Sequence, residues 1–299
     1  MSLSHSVPPG SEREGAPAAR VLLISASGNH VMQEALARLH CASDIVATNS
    51  DALRAIQANP YAVVITEPAT SIEQDFPLVG EIRKMRPDTR VVVLAAMGTS
   101  EEILAALRQS VFLCECAPFK VDEIARYVVT ALEEIDAPLD FEILSSNPDW
   151  ITVRMNCHAL NAARLIEFFK QFYMNIAARS REELISAFRE ILSNAFEHGA
   201  GNDPSKIVQI SAVRTARTVV FHIIDPGKGF RFDAIPHSAI SNAPDDPSRH
   251  IEIREESGMR PGGYGLLVVK GIVDELIYNE PGNEVLIIKY MPVVPGSPA

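Results

Sequence analysis

The chain has 299 residues, of which 47% are hydrophobic and 22% charged, and its formal net charge is −11 at pH 7. This length predicts about two domains, each large enough to bury its own core. The acidic balance argues against a nucleic-acid or anionic-membrane partner. No apolar run reaches the length of about 18 residues that a membrane-spanning helix needs. Because the four cysteines are scattered rather than paired, a reducing compartment is favoured, and we expect a cytoplasmic protein.

The first half of the chain alternates between short apolar runs and helical patterns. Residues 1–19 lack a basic start and an apolar core, so we expect a disordered lead rather than a secretory signal. The apolar runs that follow are RVLLISA, DIVAT, YAVVITEP, TRVVVLAAM and VFLCECAPF. Buried parallel strands read as continuous apolar runs. Residues 20–136 are therefore predicted to form a flavodoxin-like, doubly wound parallel α/β sheet.

The second half has a different order of elements. Residues 137–149 read as a linker, and residues 294–299 as a tail. Between them, residues 150–293 combine strand patterns, hairpin signals and three helical stretches, which predicts an α+β sandwich with its helices on one face. A polar segment, residues 231–261, is long for a loop in a compact domain and is typical of a lid or a disordered loop.

A row of polar residues stands out in the stretch REILSNAFEHGAG. Glu190, Asn194 and His198 are four residues apart, and each step of four advances an α-helix by about 40°, so all three lean toward one flank. An asparagine oxygen is a suitable single protein ligand for Mg²⁺, which keeps waters and takes its other ligands from phosphates. Glu190 can polarise an attacking hydroxyl. His198 is expected to support the helix end.

Two glycine-containing stretches follow, DPGKGF and RPGGYGLL. Asp225 comes directly after an apolar strand, where its carboxylate can accept a hydrogen bond from an exocyclic amine. Gly227 and Gly229 would let a flat base lie against the backbone. The second stretch opens a predicted helix, whose first N–H groups favour a phosphate. Its glycines are Gly262, Gly263 and Gly265. Each stretch alone is more typical of a turn or a loop–helix junction, but together and in this order they predict a nucleotide site.

Residues 150–292 resemble the Bergerat-fold ATPases, the family of gyrase, the histidine kinases and the MutL proteins. The E-x-x-x-N helix, the D-x-G-x-G-F loop and the G-x-G-L box stand in that family's order. EILSNAFEH, DPGKGF and GGYGLLVVKGIVDEL are most similar to the anti-sigma-factor serine kinases of bacteria. The resemblance implies ATP with Mg²⁺ on Asn194, adenine read by Asp225, phosphates held by Gly263 and Gly265, and Glu190 as catalytic base.

Two departures from that family pattern bear on function. Asn283 stands in the last hairpin, where the family often carries a hydroxyl residue near the adenine, so one secondary nucleotide contact is weakened. No phospho-accepting histidine region precedes the domain, because His158 lies at the end of a predicted strand. The sequence therefore argues against an autophosphorylating histidine kinase.

Residues 20–136 resemble a response-regulator receiver domain in their βα order. Phosphoryl transfer in that family needs an acidic pair after strand 1, an Asp after strand 3, a Ser or Thr after strand 4 and a Lys before a Pro after strand 5. This sequence places there Ser25 and Ala26, Thr66 with Glu67 beside it, Ala95, and Ala117 before Pro118. Without the carboxylates and the lysine, neither Mg²⁺ nor phosphate has its partners. We predict a receiver-like interaction module that is not phosphorylated.

The favoured hypothesis is a serine/threonine protein kinase of the anti-sigma-factor type, acting by partner switching. Its partner would be an anti-sigma-antagonist-like protein, a sigma factor or both, while the receiver-like domain would recruit a partner or mediate a homodimer. Backbone amides around Gly263–Leu266 would stabilise the transferring group. A non-catalytic ATP-sensing adaptor, and a histidine kinase-like protein acting on a separate partner, stay open as alternatives. Glu190 favours the kinase over the adaptor, because binding alone does not require that carboxylate.

Overall fold

The structure is a computed structural model, which describes residues 20–27, 30–66, 72–118, 120–134, 137, 141–229, 246, 249–256 and 264–291. None of the helices within these ranges is long and apolar enough to cross a membrane. The predicted lead and tail lie outside the described residues, as do Glu67, Gly262 and Gly263.

The first domain is a five-stranded parallel sheet flanked by helices. Its strands are β1 (Val21–Ile24), β2 (Ser43–Val46), β3 (Val63–Ile65), β4 (Arg90–Ala95) and β5 (Leu113–Cys116). Its helices are α1 (Val31–Arg38), α2 (Asn49–Ala58), α3 (Ile72–Met85), α4 (Ser100–Arg108) and α5 (Val121–Glu133). The strand order β2-β1-β3-β4-β5 is that of flavodoxin-like folds, and it confirms the predicted α/β sheet.

The second domain is a six-stranded antiparallel sheet with helices on one face. Its strands are β6 (Glu142–Asn147), β7 (Trp150–Asn156), β8 (Ile207–Arg214), β9 (Thr218–Ile224), β10 (Glu275–Tyr278) and β11 (Glu284–Tyr290). Its helices are α6 (Ala159–Phe172), α7 (Ala178–Asn194), α8 (Arg249–Glu256) and α9 (Gly265–Ile272). The strand order is β10-β11-β9-β8-β7-β6. Along β9, buried Val219, Phe221 and Ile223 alternate with half-buried residues, as expected when one face of a sheet is covered.

Two segments differ from the sequence-based expectation. The predicted linker contains β6, whose residues pair antiparallel with β7, so this stretch is the edge of the second sheet. An edge strand buries only part of its side chains, and its sequence EILSSN therefore lacks the apolar run of an inner strand. Within the polar segment 231–261, the structure describes α8, which begins at Arg249.

Helix α6 lies between the two sheets. Arg164 on α6 donates from Nε to the carbonyl oxygen of Phe112 at 2.6 Å, and its guanidinium lies over the Phe112 ring at 4.2 Å. Gln171 Nε2 donates to Glu115 Oε2 at 2.8 Å, and Ser100 Oγ donates to the carbonyl oxygen of Phe172 at 2.7 Å. Buried apolar residues of both domains form one contiguous cluster around these contacts. The first domain is therefore packed against the helix layer of the second.

Candidate functional site

Helix α7 carries Glu190 and Asn194, and its apolar side fixes their direction. Phe188 on that side is fully buried and stacks on Phe221 of the sheet with ring centroids 4.3 Å apart. Phe169 of α6 meets both rings edge-on, at 5.4 and 4.8 Å. Because this aromatic cluster anchors one side of α7, the opposite side, with half-buried Glu190 and Asn194, is presented away from the core.

The α-helix itself ends at Asn194, and His198 lies beyond that end. Residues Ala195–Gly199 form a π-helical turn, in which the Ala200 N–H donates to the Ala195 carbonyl oxygen at 2.8 Å across five residues. Such a turn holds more residues than an α-helical turn, so a step of four residues no longer advances by the about 40° of the regular repeat. His198 is exposed, whereas Glu190 and Asn194 are half-buried.

Asp225 is seated between two glycines at the end of β9. A Cβ atom at position 199 would lie 2.3 Å from Asp225 Oδ1, and one at position 227 would lie 2.7 Å from the same oxygen. Asp225 Oδ1 accepts a hydrogen bond from the Gly227 N–H at 2.8 Å. Burial raises the pKa of Asp225, and the Gly227 N–H partly opposes that shift. Gly199 and Gly227 thus give the carboxylate a slot that any side chain would fill.

Gly229 meets the last hairpin. Its φ is +75°, a conformation that favours glycine, and a Cβ atom there would lie 1.9 Å from the Pro281 carbonyl oxygen. The hairpin turn is held by Asn279 Oδ1, which accepts from the backbone N–H groups of Gly282 and Asn283 at 2.8 and 3.0 Å. Gly229 therefore joins the Asp225 loop to the hairpin, a use of this glycine that the motif alone did not predict.

Glu190 meets Gly265 at the start of α9. A Cβ atom at position 265 would lie 1.7 Å from Glu190 Oε1. Leu266, the next residue, is buried against the core. Gly262 and Gly263 belong to the same predicted glycine box but lie outside the described residues.

Two contacts thus bring the three predicted motifs together. Gly199, at the end of the π-helical turn, touches Asp225, and Glu190, on the preceding helix, touches Gly265. The segment from Glu190 to Gly199 therefore forms a wall against which both glycine-containing stretches close. Among the described residues, no group of three or more His, Cys, Asp or Glu side chains could hold a metal ion by itself.

Sequence reasoning missed two residues whose pKa values respond to the Asp225 charge. Burial, and then Asp225, raise the pKa of Tyr278 above its usual range. Burial, and then the charges of Asp203 and Asp225, raise the pKa of Cys157 to about 11, with Lys206 opposing. Tyr278 belongs to β10 and Cys157 follows β7, so no spacing in the chain connects either with Asp225.

The first domain carries small polar and apolar residues at the strand ends where the receiver resemblance asks for charged groups. Ser25 and Thr66 are buried, and Thr66 Oγ1 accepts a hydrogen bond from the Leu94 N–H at 3.1 Å. Ala95 is the last residue of β4, and Ala117 follows β5. None of these four described residues offers a carboxylate or an amine to a metal or a phosphoryl group.

Comparisons with known proteins found one family model and several solved structures similar to parts of this chain. Residues 158–289 match the family described as histidine kinase-like ATPase domain. No curated protein matches the chain. A CheY-like response regulator receiver domain protein from Methanospirillum hungatei JF-1 is 14% identical, with 40% of this chain and 98% of that chain covered and a TM-score of 0.37. A signal receiver domain of an HD domain-containing protein from Pseudomonas fluorescens Pf-5 is 16% identical, with 42% and 95% covered and a TM-score of 0.37.

Proposed function

We propose that this chain, whose residues 158–289 match the family described as histidine kinase-like ATPase domain, is an ATP-dependent serine/threonine protein kinase of the anti-sigma-factor type. The observation that carries the proposal is the place of Glu190, whose carboxylate lies against the first residue of α9. The first N–H groups of a helix attract phosphate, so this carboxylate lies close to where a transferable phosphoryl group would bind. A protein that only binds ATP has no need of a base there.

The described residues fit an adenine nucleotide. The Asp225 carboxylate is half-buried in the slot between Gly199 and Gly227, where it can accept a hydrogen bond from the exocyclic amine of adenine. Asn194 stands one helical turn after Glu190 and offers the oxygen that would hold Mg²⁺ bound together with ATP. When bound, the ion would neutralise part of the negative charge of the phosphates.

In the proposed reaction, Glu190 accepts the proton from a serine or threonine hydroxyl of the substrate protein. The hydroxyl oxygen attacks the γ-phosphorus, the bond from that phosphorus to the β–γ bridging oxygen breaks, and the electron pair leaves with ADP. Backbone N–H groups at the start of α9, up to Leu266, would donate to the transferring group. Gly263, which the family resemblance places in the same role, lies outside the described residues.

The substrate would be a small antagonist-like protein, and phosphorylation would change which partner the kinase retains. We place protein recruitment on the receiver-like domain. Helix α6 covers one side of that domain through Arg164 and Gln171, so the partner would bind elsewhere on its surface. A histidine acceptor within the chain is disfavoured at His158, because its Nδ1 caps α6 by accepting from the Leu160 N–H at 3.3 Å. Its Nε2 lies 3.4 Å from Glu134 Oε2.

A second candidate is an ATP-sensing adaptor without phosphoryl transfer. The observation that favours it is the shared core around α6, in which buried residues of the nucleotide domain pack directly against residues of the receiver-like domain. In that case nucleotide binding would alter the junction between the domains, and Glu190 would be dispensable.

Labelled ATP separates these candidates. The protein is incubated with Mg²⁺, [γ-³²P]ATP and candidate antagonist-like proteins, and the phosphoproteins are tested for acid stability. We expect acid-stable phosphoserine or phosphothreonine from the wild type, at least about 100-fold less from Glu190→Gln, and normal amounts from the matched change Glu182→Gln, an exposed residue of the same helix. ATP binding without a phosphoprotein, together with an unaffected Glu190→Gln variant, would favour the adaptor. An acid-labile product would point to a histidine kinase-like activity.

A further inference from the structure

Gly265 has no conformational reason to be glycine. Its φ lies outside the left-handed range, unlike those of Gly201, Gly229 and Gly282. It is the first residue of α9, and glycine is among the least favourable residues for a helical backbone. What excludes a side chain is space, because a Cβ atom at position 265 would lie 1.7, 2.4 and 3.0 Å from Oε1, Cδ and Cγ of Glu190.

This contact is what limits the position of the Glu190 carboxylate. Within the part of the chain that the structure describes, no donor forms a hydrogen bond or an ion pair with Glu190. The side chain projects from α7, and the backbone of α9 at Gly265 stands directly against its end. Buried Leu266 and Val269 fix α9 on the core, so the surface that meets the carboxylate does not shift easily.

We infer that Gly265 is a positioning residue for Glu190: its bare Cα lets the carboxylate lie at the start of α9, where the substrate proton is taken. The inference rests on the proposed kinase function. It differs from the role that the family resemblance implies for this glycine, which is to hold phosphate through its backbone. A positioning role predicts an effect of the side chain at 265 on turnover, whereas a phosphate-holding role predicts an effect on nucleotide affinity.

The chain supplies a matched control. Gly271 lies on the same helix, and a Cβ atom there would have no heavy atom within 4 Å. Gly265→Ala and Gly271→Ala make the same chemical change on the same helix, and only the first forces the Glu190 carboxylate to move.

The experiment measures kcat and KM for Mg-ATP turnover, with the phosphoacceptor protein present, and Kd for Mg-ADP. We expect Gly265→Ala to lower kcat by roughly 100-fold, the usual contribution of a positioned base, while KM and Kd change less than about threefold. Gly271→Ala is expected to match the wild type. Shortening the carboxylate with Glu190→Asp frees the space that the new methyl group needs. The double variant should therefore be no slower than Glu190→Asp alone, a non-additivity expected of two residues in contact.

Two outcomes would overturn the inference while leaving the kinase intact. In the first, Gly265→Ala turns over Mg-ATP as fast as Gly271→Ala. In the second, Gly265→Ala weakens Mg-ADP binding as strongly as it slows turnover, and does so in the Glu190→Asp background as well. A wild-type protein that binds Mg-ATP without turnover would instead refute the kinase and the inference together.

Thermal unfolding checks that the alanine variant is folded. Its new methyl group collides only with the movable end of the Glu190 side chain, so the Tm of Gly265→Ala should stay close to that of Gly271→Ala. A large loss of Tm that persists when Glu190→Ala removes that side chain would contradict the contact itself.

Discussion

Replacing Glu115 with glutamine should remove most of the pH dependence of stability between about pH 4.5 and about pH 8. Glu115 is buried at the junction of the domains, where Gln171 Nε2 of α6 donates a hydrogen bond to its carboxylate. Glu167, also on α6, accepts a hydrogen bond from the same Gln171 nitrogen. Burial, and then the Glu167 charge, raise the pKa of Glu115 from 4.5 to about 8, with Lys170 opposing. The same two carboxylates, after burial, raise the pKa of Tyr127 on α5 to about 12.

The sign follows from where the proton is held. Between these two pKa values the folded protein keeps a proton on Glu115 that the unfolded chain releases, so stability is full at low pH and falls as the pH rises. The slope for one proton is about 1.4 kcal/mol per pH unit. From pH 6 to pH 8 the loss amounts to about 2 kcal/mol, because the slope flattens near the upper pKa. In a chain of this size that corresponds to a change in Tm on the order of 5 °C.

Thermal unfolding from pH 5 to pH 8.5 tests this reasoning. The difference in Tm between Glu115→Gln and wild type should grow toward high pH, since the amide stays neutral throughout. Glu123→Gln is the matched control. The hydrogen bond from Lys120 lowers the pKa of Glu123, so the protonation of Glu123 changes stability only at a lower pH than this range. A wild-type Tm that runs parallel to that of Glu115→Gln from pH 6 to pH 8 would refute a proton held on Glu115 in the folded protein.

Two further substitutions test the site and its support. Gly199→Ala should displace the Asp225 carboxylate and weaken Mg-ADP binding at least about 10-fold in a titration, since a lost buried hydrogen bond costs about 1–3 kcal/mol. The control is Gly80→Ala, whose Cβ would meet no heavy atom within 4 Å and which should leave Mg-ADP affinity unchanged. Phe188→Ala should lower the free energy of unfolding by about 3–5 kcal/mol, read from urea denaturation, because it empties the aromatic core under α7. A Gly199→Ala variant with normal affinity, or a Phe188→Ala variant within 1 kcal/mol of wild type, would contradict the respective contact.

Most of the secondary structure could be predicted because its signal is local. Inner parallel strands such as Val91–Ala95 are continuous apolar runs, and the β8–β9 and β10–β11 hairpins alternate around short polar turns. Strand β6 could not be predicted, since EILSSN is half-exposed at the sheet edge and reads like the linker on either side of it.

The sequence predicts the residue types of the candidate site but not the contacts between them. The order of Glu190, Asn194 and Asp225 along the chain predicts a nucleotide site. The contact of Gly265 with Glu190 joins residues far apart in sequence, and Gly199, on one side of the Asp225 slot, is the last residue of the π-helical turn. Periodicity assumes one helical repeat throughout, so it cannot register a turn that contains an extra residue.

That extra residue lets the segment between Asn194 and Gly199 be one residue longer than a regular helix would allow. In a regular α-helix, one inserted residue rotates everything beyond it by about 100° around the helix axis and shifts it by about 1.5 Å along that axis. The wider π-helical turn takes up most of that rotation, so Gly199 still reaches Asp225 while Glu190 and Asn194 keep their places. The separation along the chain between the two ends of the proposed nucleotide cleft is therefore set by one local turn.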